Sequence, residues 1–159
     1  MRQIAIKQLK IREAQRADKK HILKLIESWK PYHWDFKPAK EHFTRFFETN
    51  DFPNDKFFVG LMDNQIVSVI GYYHDHANEI SWLEWFYTHK DYSHLGIGQR
   101  MFDLVISELK AKKTKRLLVN TGLDEFYEPA VSFYHKMGLK KTDDIYEEDE
   151  DSIIMSKNF

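Results

Sequence analysis

Apolar residues recur at two spacings along this chain, and the change from one to the other predicts the order of helices and strands. Ile22, Leu25 and Ile26 follow the three-to-four-residue spacing of an amphipathic helix. Residues 57–62 and 65–73 instead form short apolar runs that are typical of strands. The whole pattern predicts the order β-α-α-β-β-β-α-β-α-β-β, with strands at 9–14, 57–62, 65–73, 79–88, 116–121, 139–142 and 152–156 and helices that begin near Asp18, Pro38, Ile97 and Pro129.

Residues that start or stop regular structure fall between these elements. Asp18 is predicted to cap the first helix and Pro31 to end it, while Pro38 opens the second. Asp63-Asn64 is a hairpin turn signal, and Gly138 ends the last helix. Because no repeat, linker or low-complexity tract interrupts the chain, residues 1–159 are predicted to form one α/β (α+β layered) domain, a mixed sheet with helices on both faces.

Charge and cysteine content narrow the class of protein. The 24 basic and 25 acidic residues give a net charge of −1, which argues against a nucleic-acid partner. No apolar stretch is long enough to span a membrane, and the first residues lack a signal-peptide core, so no membrane association is expected. The absence of cysteine excludes disulfides, thiolate zinc sites and a cysteine nucleophile, and it favours a cytoplasmic location.

The segment Gly96-Ile97-Gly98 joins a predicted strand to a predicted helix. The free N–H groups at a helix start bind anions such as a pyrophosphate, and glycines let the backbone approach closely. An ordinary turn before a helix is the alternative interpretation. The segment is neither a P-loop, which needs a following Lys-Ser/Thr, nor a dinucleotide fingerprint, which needs a third glycine.

Two longer stretches carry a family resemblance. Residues 88–98, which read THKDYSHLGIG, resemble the acetyl-CoA-binding motif of the GNAT superfamily of N-acetyltransferases. Residues 127–139, which read YEPAVSFYHKMGL, resemble that superfamily's second signature. The resemblance implies the GNAT fold with a mostly antiparallel central sheet, acetyl-CoA as co-substrate, and an N-acetyltransferase activity. The stretches around Leu83 to Thr88 and Glu128 to Tyr134 are most similar to the diamine/polyamine acetyltransferase branch.

The resemblance also implies which residues bind the acetyl donor. The backbone of residues 86–88 would hold the pantetheine chain, and the start of the following helix would hold the pyrophosphate. The residues concerned are Phe86, Tyr87, Thr88, Leu95, Gly96, Ile97, Gly98, Gln99, Arg100 and Asn120. The chain departs from the family pattern at Ser93, where Arg or Gln is usual, at His94, where Gly is usual, and at Tyr127, where Asn is common. These departures put side-chain help to the phosphates in doubt, for which Gln99 or Arg100 can compensate.

The implied reaction needs a base and an acid. An alkylamine with a pKa of about 10.4 is almost entirely protonated at neutral pH, so a base must remove its proton. By resemblance Glu84 is the base, acting directly or through water; the alternative is a solvated strand carboxylate. Tyr134 is the candidate acid, since its helical face points it inward; the alternative is a core tyrosine. Because the chain has no cysteine, the transfer is expected to be direct.

The acceptor is harder to predict. The acceptor groove is expected to be walled on one side by the aromatic residues Trp29, Tyr32, Trp34 and Phe36 and on the other by the acidic run 147–151. Aromatic faces and carboxylates suit a cation, which favours a polyamine or another small cationic amine. Alternatively, the aromatic residues belong to the core and the acidic run is a solvated loop.

Histidines give weaker signals. His74 and His76 are two residues apart on a strand and are expected to face opposite sides, and with no third ligand in evidence no metal site is predicted. His33 and His42 are weak candidates for substrate contact, because a loop histidine usually contacts only water.

Two other functions stay open at this point: a protein or peptide N-acetyltransferase, and a catalytically silent acyl-CoA-binding regulatory domain. A homodimer is implied only by the resemblance to the family, whose members commonly form one.

Overall fold

The elements of the chain follow the predicted order, in a computed structural model that describes residues 8–29, 36–123, 125–142 and 152–159. The helices are α1 (Lys19–Glu27), α2 (Phe36–Glu48), α3 (Ile97–Ala111) and α4 (Glu128–Lys136). The strands are β1 (Lys10–Glu13), β2 (Asp55–Met62), β3 (Gln65–Asp75), β4 (Ile80–Thr88), β5 (Arg116–Gly122), β6 (Lys140–Lys141) and β7 (Ser152–Asn158).

The seven strands form one sheet in the order β1-β2-β3-β4-β5-β7-β6. Every neighbouring pair is antiparallel except β4 and β5, which run parallel. The turn between β2 and β3 has positive φ at Asp63 (49°) and Asn64 (63°), as a tight hairpin requires. The predicted mixed, mostly antiparallel sheet and the hairpin are therefore confirmed.

The helices cover both faces of the sheet, as predicted. On one face, α1 and α2 bury Ile22 and Phe43 against Val59 and Val69 of the sheet. On the other face, α3 and α4 pack over a second core, which includes Met101, Phe102, Val105, Tyr134, Leu83 and Leu117. Burial of apolar side chains in these two layers is the main force that holds the helices to the sheet.

Strand β4 is bent where it leaves β5. The two strands pair only from Ile80 to Trp82, opposite Arg116 to Leu118. Further along, Trp85 adopts a positive φ of 44°, and the pairing of β3 with β4 shifts register between Val69 and Gly71. This bulge lets the consecutive residues Glu84 and Trp85 both contact the α2 side of the sheet. The divergence of β4 from β5 opens the sheet at its centre.

Two of the predicted helix signals act differently in the structure, and a third is not described. The Asp18 side chain makes no capping bond to α1, because it binds the Arg12 guanidinium at 2.6 and 2.9 Å and accepts from the Gln15 N–H. Pro38 is the third residue of α2 rather than its first. Helix α1 ends at Glu27, and Pro31 lies outside the described residues.

Candidate active site

The start of α3 presents backbone groups rather than side chains. Gly96 precedes the helix with a φ of +85°, a conformation that favours glycine, and it has no side chain to cap the helix. Ile97 is buried and anchors the first turn in the core. The first N–H groups of α3 therefore face outward at the positive end of the helix dipole, where an anion binds well.

The end of β4 lies beside this helix start. A Cβ built on Gly98 would lie 3.5 Å from Phe86 Cζ and 3.8 Å from Thr88 Oγ1, which are ordinary contacts. In the register of the described sheet, Phe86 has no pairing partner on β3 or β5, so its backbone groups face the opening between β4 and β5. These features fit a pyrophosphate at the helix start and an extended chain along the open edge of β4.

Tyr87 and Thr88, the other two β4 residues predicted to bind the donor, already form hydrogen bonds within the protein. The Tyr87 carbonyl accepts from Ser68 Oγ at 2.9 Å. The Thr88 carbonyl accepts from Trp29 Nε1 at 3.1 Å, and the Thr88 hydroxyl is 3.0 Å from Ser68 Oγ. Of the three residues 86–88, Phe86 is therefore the one best able to offer its backbone to a ligand.

The remaining donor-site predictions lie on the segments that flank β4, and their contact with the donor stays a prediction. Leu95 is half-buried and packs against the core, whereas Gln99 and Arg100 are exposed on the first turn of α3. Asn120 is exposed on β5, beyond the point where β5 leaves β4. Ser93, at the departure from the family pattern, closes its own turn by donating to the Lys90 carbonyl at 2.7 Å.

Tyr134 points into the core, as predicted. Its side chain is buried between α3, α4 and the sheet, and its ring meets that of Phe133 edge-on. Burial raises the pKa of the Tyr134 phenol above its ordinary value, so the hydroxyl keeps its proton throughout the physiological range. A hydroxyl in this state can donate a hydrogen bond or a proton to a developing anion.

Glu84 lies on the opposite face of β4, in a cluster with two other titratable residues. Asp55 of β2 binds His42 of α2, with Oδ2 and Nε2 2.7 Å apart. The same Nε2 is 3.8 Å from Glu84 Oε2. The ligand atoms of the three residues all lie within 4.8 Å of one another, a spacing that a metal ion could also bridge. The aromatic rings of Phe52, Phe57 and Trp85 surround His42.

The surroundings of Glu84 change its proton affinity. Burial, and then the charge of Asp55 and a hydrogen bond with it, raise the pKa of Glu84 to about 9 from an ordinary value of 4.5. Glu84 Oε2 is buried without a hydrogen-bond partner among the described residues. Glu84 is therefore half-buried and is not the solvated strand carboxylate of the alternative interpretation, while its role as the base stays a prediction.

Comparison with known proteins decides the family. The family model of the GNAT acetyltransferases matches residues 22–139. The chain belongs to this family. No curated protein sequence matches it.

Several solved structures share the fold of this GNAT protein. A GNAT-family acetyltransferase from Staphylococcus aureus Mu50 is 21% identical, with a TM-score of 0.77 over 94% of this chain and 98% of that one. The PaiA N-acetyltransferase from Thermoplasma acidophilum, solved in complex with coenzyme A, is 17% identical, with a TM-score of 0.72 over 95% and 99%. The ribosomal-protein-S18-alanine N-acetyltransferase from Escherichia coli is 15% identical, with a TM-score of 0.73 over 94% and 93%.

Family membership establishes the kind of reaction. This GNAT protein is an acetyl-CoA-dependent N-acetyltransferase, which confirms the predicted enzyme and its co-substrate and sets aside the silent binding domain. In the parts of the chain that the structure describes, no helix is long and apolar enough to cross a membrane.

The predicted acceptor residues are only partly visible. Trp29 lies after the end of α1, and besides bonding Thr88 its ring meets Phe126 edge-on with centroids 6.0 Å apart. Tyr32 and Trp34 lie outside the described residues, as do His33 and the acidic run 147–151.

Three histidines differ from expectation. His42 lies in α2 rather than in a loop, and it contacts Asp55. His74 and His76 do not face opposite sides, because His76 follows the last residue of β3 and its ring lies 4.5 Å from that of His74. His74 is buried, and its Nδ1 is 2.8 Å from Ser81 Oγ and 3.1 Å from Thr114 Oγ1.

Sequence reasoning missed Asp55. It precedes an apolar run at the start of β2, and it approaches Glu84 only through strand pairing that the local sequence does not specify. The sequence does place an acidic residue beside an apolar run in each of two strands, but this pattern is too common to identify a site.

Proposed function

We propose that this GNAT enzyme acetylates the primary amine of a small cationic molecule such as a polyamine. The observation that carries the proposal is the pair of carboxylates, Glu84 and Asp55, held at the α2 side of β4 among aromatic rings. Such surroundings suit an alkylammonium group, through the charge of Asp55 and through ring faces. The predicted cytoplasmic location and homodimer stay predictions.

The acetyl donor would occupy the opposite side of β4. When bound, acetyl-CoA supplies an acetyl thioester. We infer that the backbone of Gly96, Ile97 and Gly98 holds its pyrophosphate and that Phe86 holds the pantetheine chain. Leu95, Gln99, Arg100 and Asn120 line the same opening, with Tyr87 and Thr88 in supporting positions.

Two side chains would move the protons of the reaction. Glu84 takes a proton from the acceptor as its nitrogen bonds to the acetyl carbon. Tyr134 gives its proton to the sulfur as the carbon–sulfur bond breaks. Starting from its ammonium form, the acceptor loses two protons, one to Glu84 and one to solvent once the carbon–nitrogen bond has formed, while the thiol gains one from Tyr134. Exchange with solvent then returns both residues to their starting state, and the reaction releases one net proton.

A panel of amines tests the acceptor. Release of coenzyme A is measured with spermidine, with a monoamine of equal length and neutral tail, and with a peptide bearing a free α-amine. We expect spermidine to have the highest kcat/KM, with an advantage that added salt reduces only slightly, because buried charges are screened much less than exposed ones. Gly98→Val serves as the matched variant without donor binding.

Two other outcomes of the amine panel would contradict the proposed acceptor. A salt-independent preference for the neutral-tailed amine would overturn the cationic acceptor. Preference for the peptide would place the acceptor among proteins, the class named for the Escherichia coli enzyme of similar fold.

A further inference from the structure

The carboxylates of Asp55 and Glu84 come from neighbouring parts of one sheet face and meet beside His42. We propose that Asp55 is a positioning residue that, held by His42, makes Glu84 basic enough to take a proton from an alkylammonium acceptor. This inference rests on the proposed role of Glu84 as the base.

Asp55 is fixed in its place. Its side chain is only 2% exposed, and its Oδ2 is bound to His42 Nε2 at 2.7 Å. The His42 ring is itself stacked on Phe52, with centroids 4.2 Å apart and planes 10° from parallel. Asp55 therefore cannot turn into solvent when Glu84 gains or loses charge.

Apolar groups enclose the pair. Glu84 lies opposite Gly71 of β3, and a Cβ on that glycine would lie 2.2 Å from the Phe57 ring, so the ring occupies the space beside the strand. Water is thereby kept from one side of the carboxylates, and the repulsion between their charges is stronger than it would be in solvent. Among the described residues, the titratable groups that face Glu84 are Asp55 of β2 and His42 of α2.

The consequence is that the pKa of the base lies closer to the pKa of the acceptor amine. An alkylammonium with a pKa of about 10.4 would give its proton to an ordinary glutamate, with a pKa of about 4.3, only about once in a million encounters at equilibrium. The raised pKa of Glu84, about 9, reduces this gap to little more than one pH unit. The step breaks one N–H bond and forms one O–H bond on Glu84, so it needs no other reactant.

The substitution Asp55→Asn tests the proposal through the pH dependence of kcat/KM. For the parent we expect kcat/KM to rise about tenfold per pH unit up to about pH 9, because only ionised Glu84 can accept a proton. In Asp55→Asn the rise should end at least about two pH units lower, and the plateau should be about 10- to 100-fold lower, because Glu84 becomes a weaker base. A structural role alone would not move the end of the rise.

Two variants serve as controls. Asp51→Asn removes an exposed carboxylate that pairs with Arg45 of α2, and it should leave the profile unchanged. His42→Leu removes the ring nitrogen that holds Asp55 and should lower the plateau.

A second measurement does not depend on activity. The carbon-13 shift of the Glu84 carboxyl, followed by NMR against pH, should show its pKa falling by at least about two units in Asp55→Asn. An unchanged pKa or an unchanged rate profile would overturn the proposal. Loss of the parent's activity on treatment with EDTA would also overturn it, since the cluster would then hold a metal ion.

Failure of the proposed function gives a different result. If Glu84→Gln turns over like the parent, Glu84 is not the base. If Glu84→Gln loses activity while Asp55→Asn keeps the parent's profile, Glu84 remains the base and only the role of Asp55 is lost.

Discussion

The two halves of the proposed active site lie on opposite faces of β4 and use different chemical groups. On the α3 side, Gly96, Gly98 and Phe86 offer backbone groups, and Gly98 lies in ordinary contact distance of Phe86. On the α2 side, Glu84 offers a titratable side chain whose surroundings come from β2 and α2. The first half depends on main-chain conformation and the second on the mutual repulsion and burial of charges.

This difference predicts how each half responds to substitution. A site made of N–H groups tolerates changes of neighbouring side chains, which is consistent with Ser93 and His94 standing where the family pattern has other residues. Such a site fails when a side chain fills the ligand's space. A site made of buried charges instead loses function with a single isosteric change, although the fold can gain stability.

The largest expected effect is at Gly98. Gly98→Val should abolish the rise in Tm that acetyl-CoA produces in the parent, because the new side chain occupies the space of the pyrophosphate. With parent binding in the micromolar range, a ligand concentration of about 100 Kd stabilises the fold by about 2.7 kcal/mol, so the loss is readily measured. Melting curves with and without acetyl-CoA provide the test.

Gly98→Ala controls for damage to the fold. Its Cβ would meet Phe86 at 3.5 Å, an ordinary contact, so the Tm without ligand should stay at the parent's value. A full ligand-induced shift in Gly98→Val would contradict the backbone site.

The next effect is on turnover. Tyr134→Phe should lower kcat by roughly 10- to 10³-fold, the order associated with general acid catalysis, with little change in acetyl-CoA binding. Steady-state kinetics with saturating acetyl-CoA measure it. The matched control is Tyr72→Phe, which removes another buried hydroxyl, bonded to Glu108 at 3.0 Å, and should keep its kcat. Equal kcat in Tyr134→Phe and the parent would leave Tyr134 as a packing residue.

The same contrast explains which half could be predicted from sequence. The backbone groups of the donor half lie in one continuous stretch from Phe86 to Arg100, so strand, turn and helix start are all visible in the local pattern. The acceptor half needs His42, Asp55 and Glu84 from three separate elements. Their meeting depends on the register of two strand pairings and on the bulge at Trp85, neither of which periodicity reveals.

Asp18 shows the same limit. Its position before a helix correctly marked the boundary, yet its carboxylate bonds Arg12 of β1 instead of the helix. Local patterns thus locate elements, while the partner of a charged side chain is set by tertiary contacts.

The smallest expected effect separates stability from activity at Glu84. Its folded-state pKa, about 9, lies above the ordinary value of 4.5, so the folded protein holds a proton that the unfolded chain releases between these values. Stability from this group is complete below about pH 4.5 and is lost as pH rises towards 9. Glu84→Gln carries no ionisable group and should escape this loss.

Thermal melts at two pH values measure the difference. One pKa unit corresponds to about 1.4 kcal/mol, so at about pH 8.5 Glu84→Gln should be more stable than the parent by a few kcal/mol, or roughly 5–10 °C in Tm. At about pH 3.5 the two proteins should melt at nearly the same temperature, since Glu84 is then largely protonated in both states. Glu41→Gln, an exposed substitution on α2, should match the parent at both pH values. If Glu84→Gln is instead less stable than the parent at high pH, Glu84 is ionised and well paired in the folded state. The α2 side of the site would then need another residue as the base.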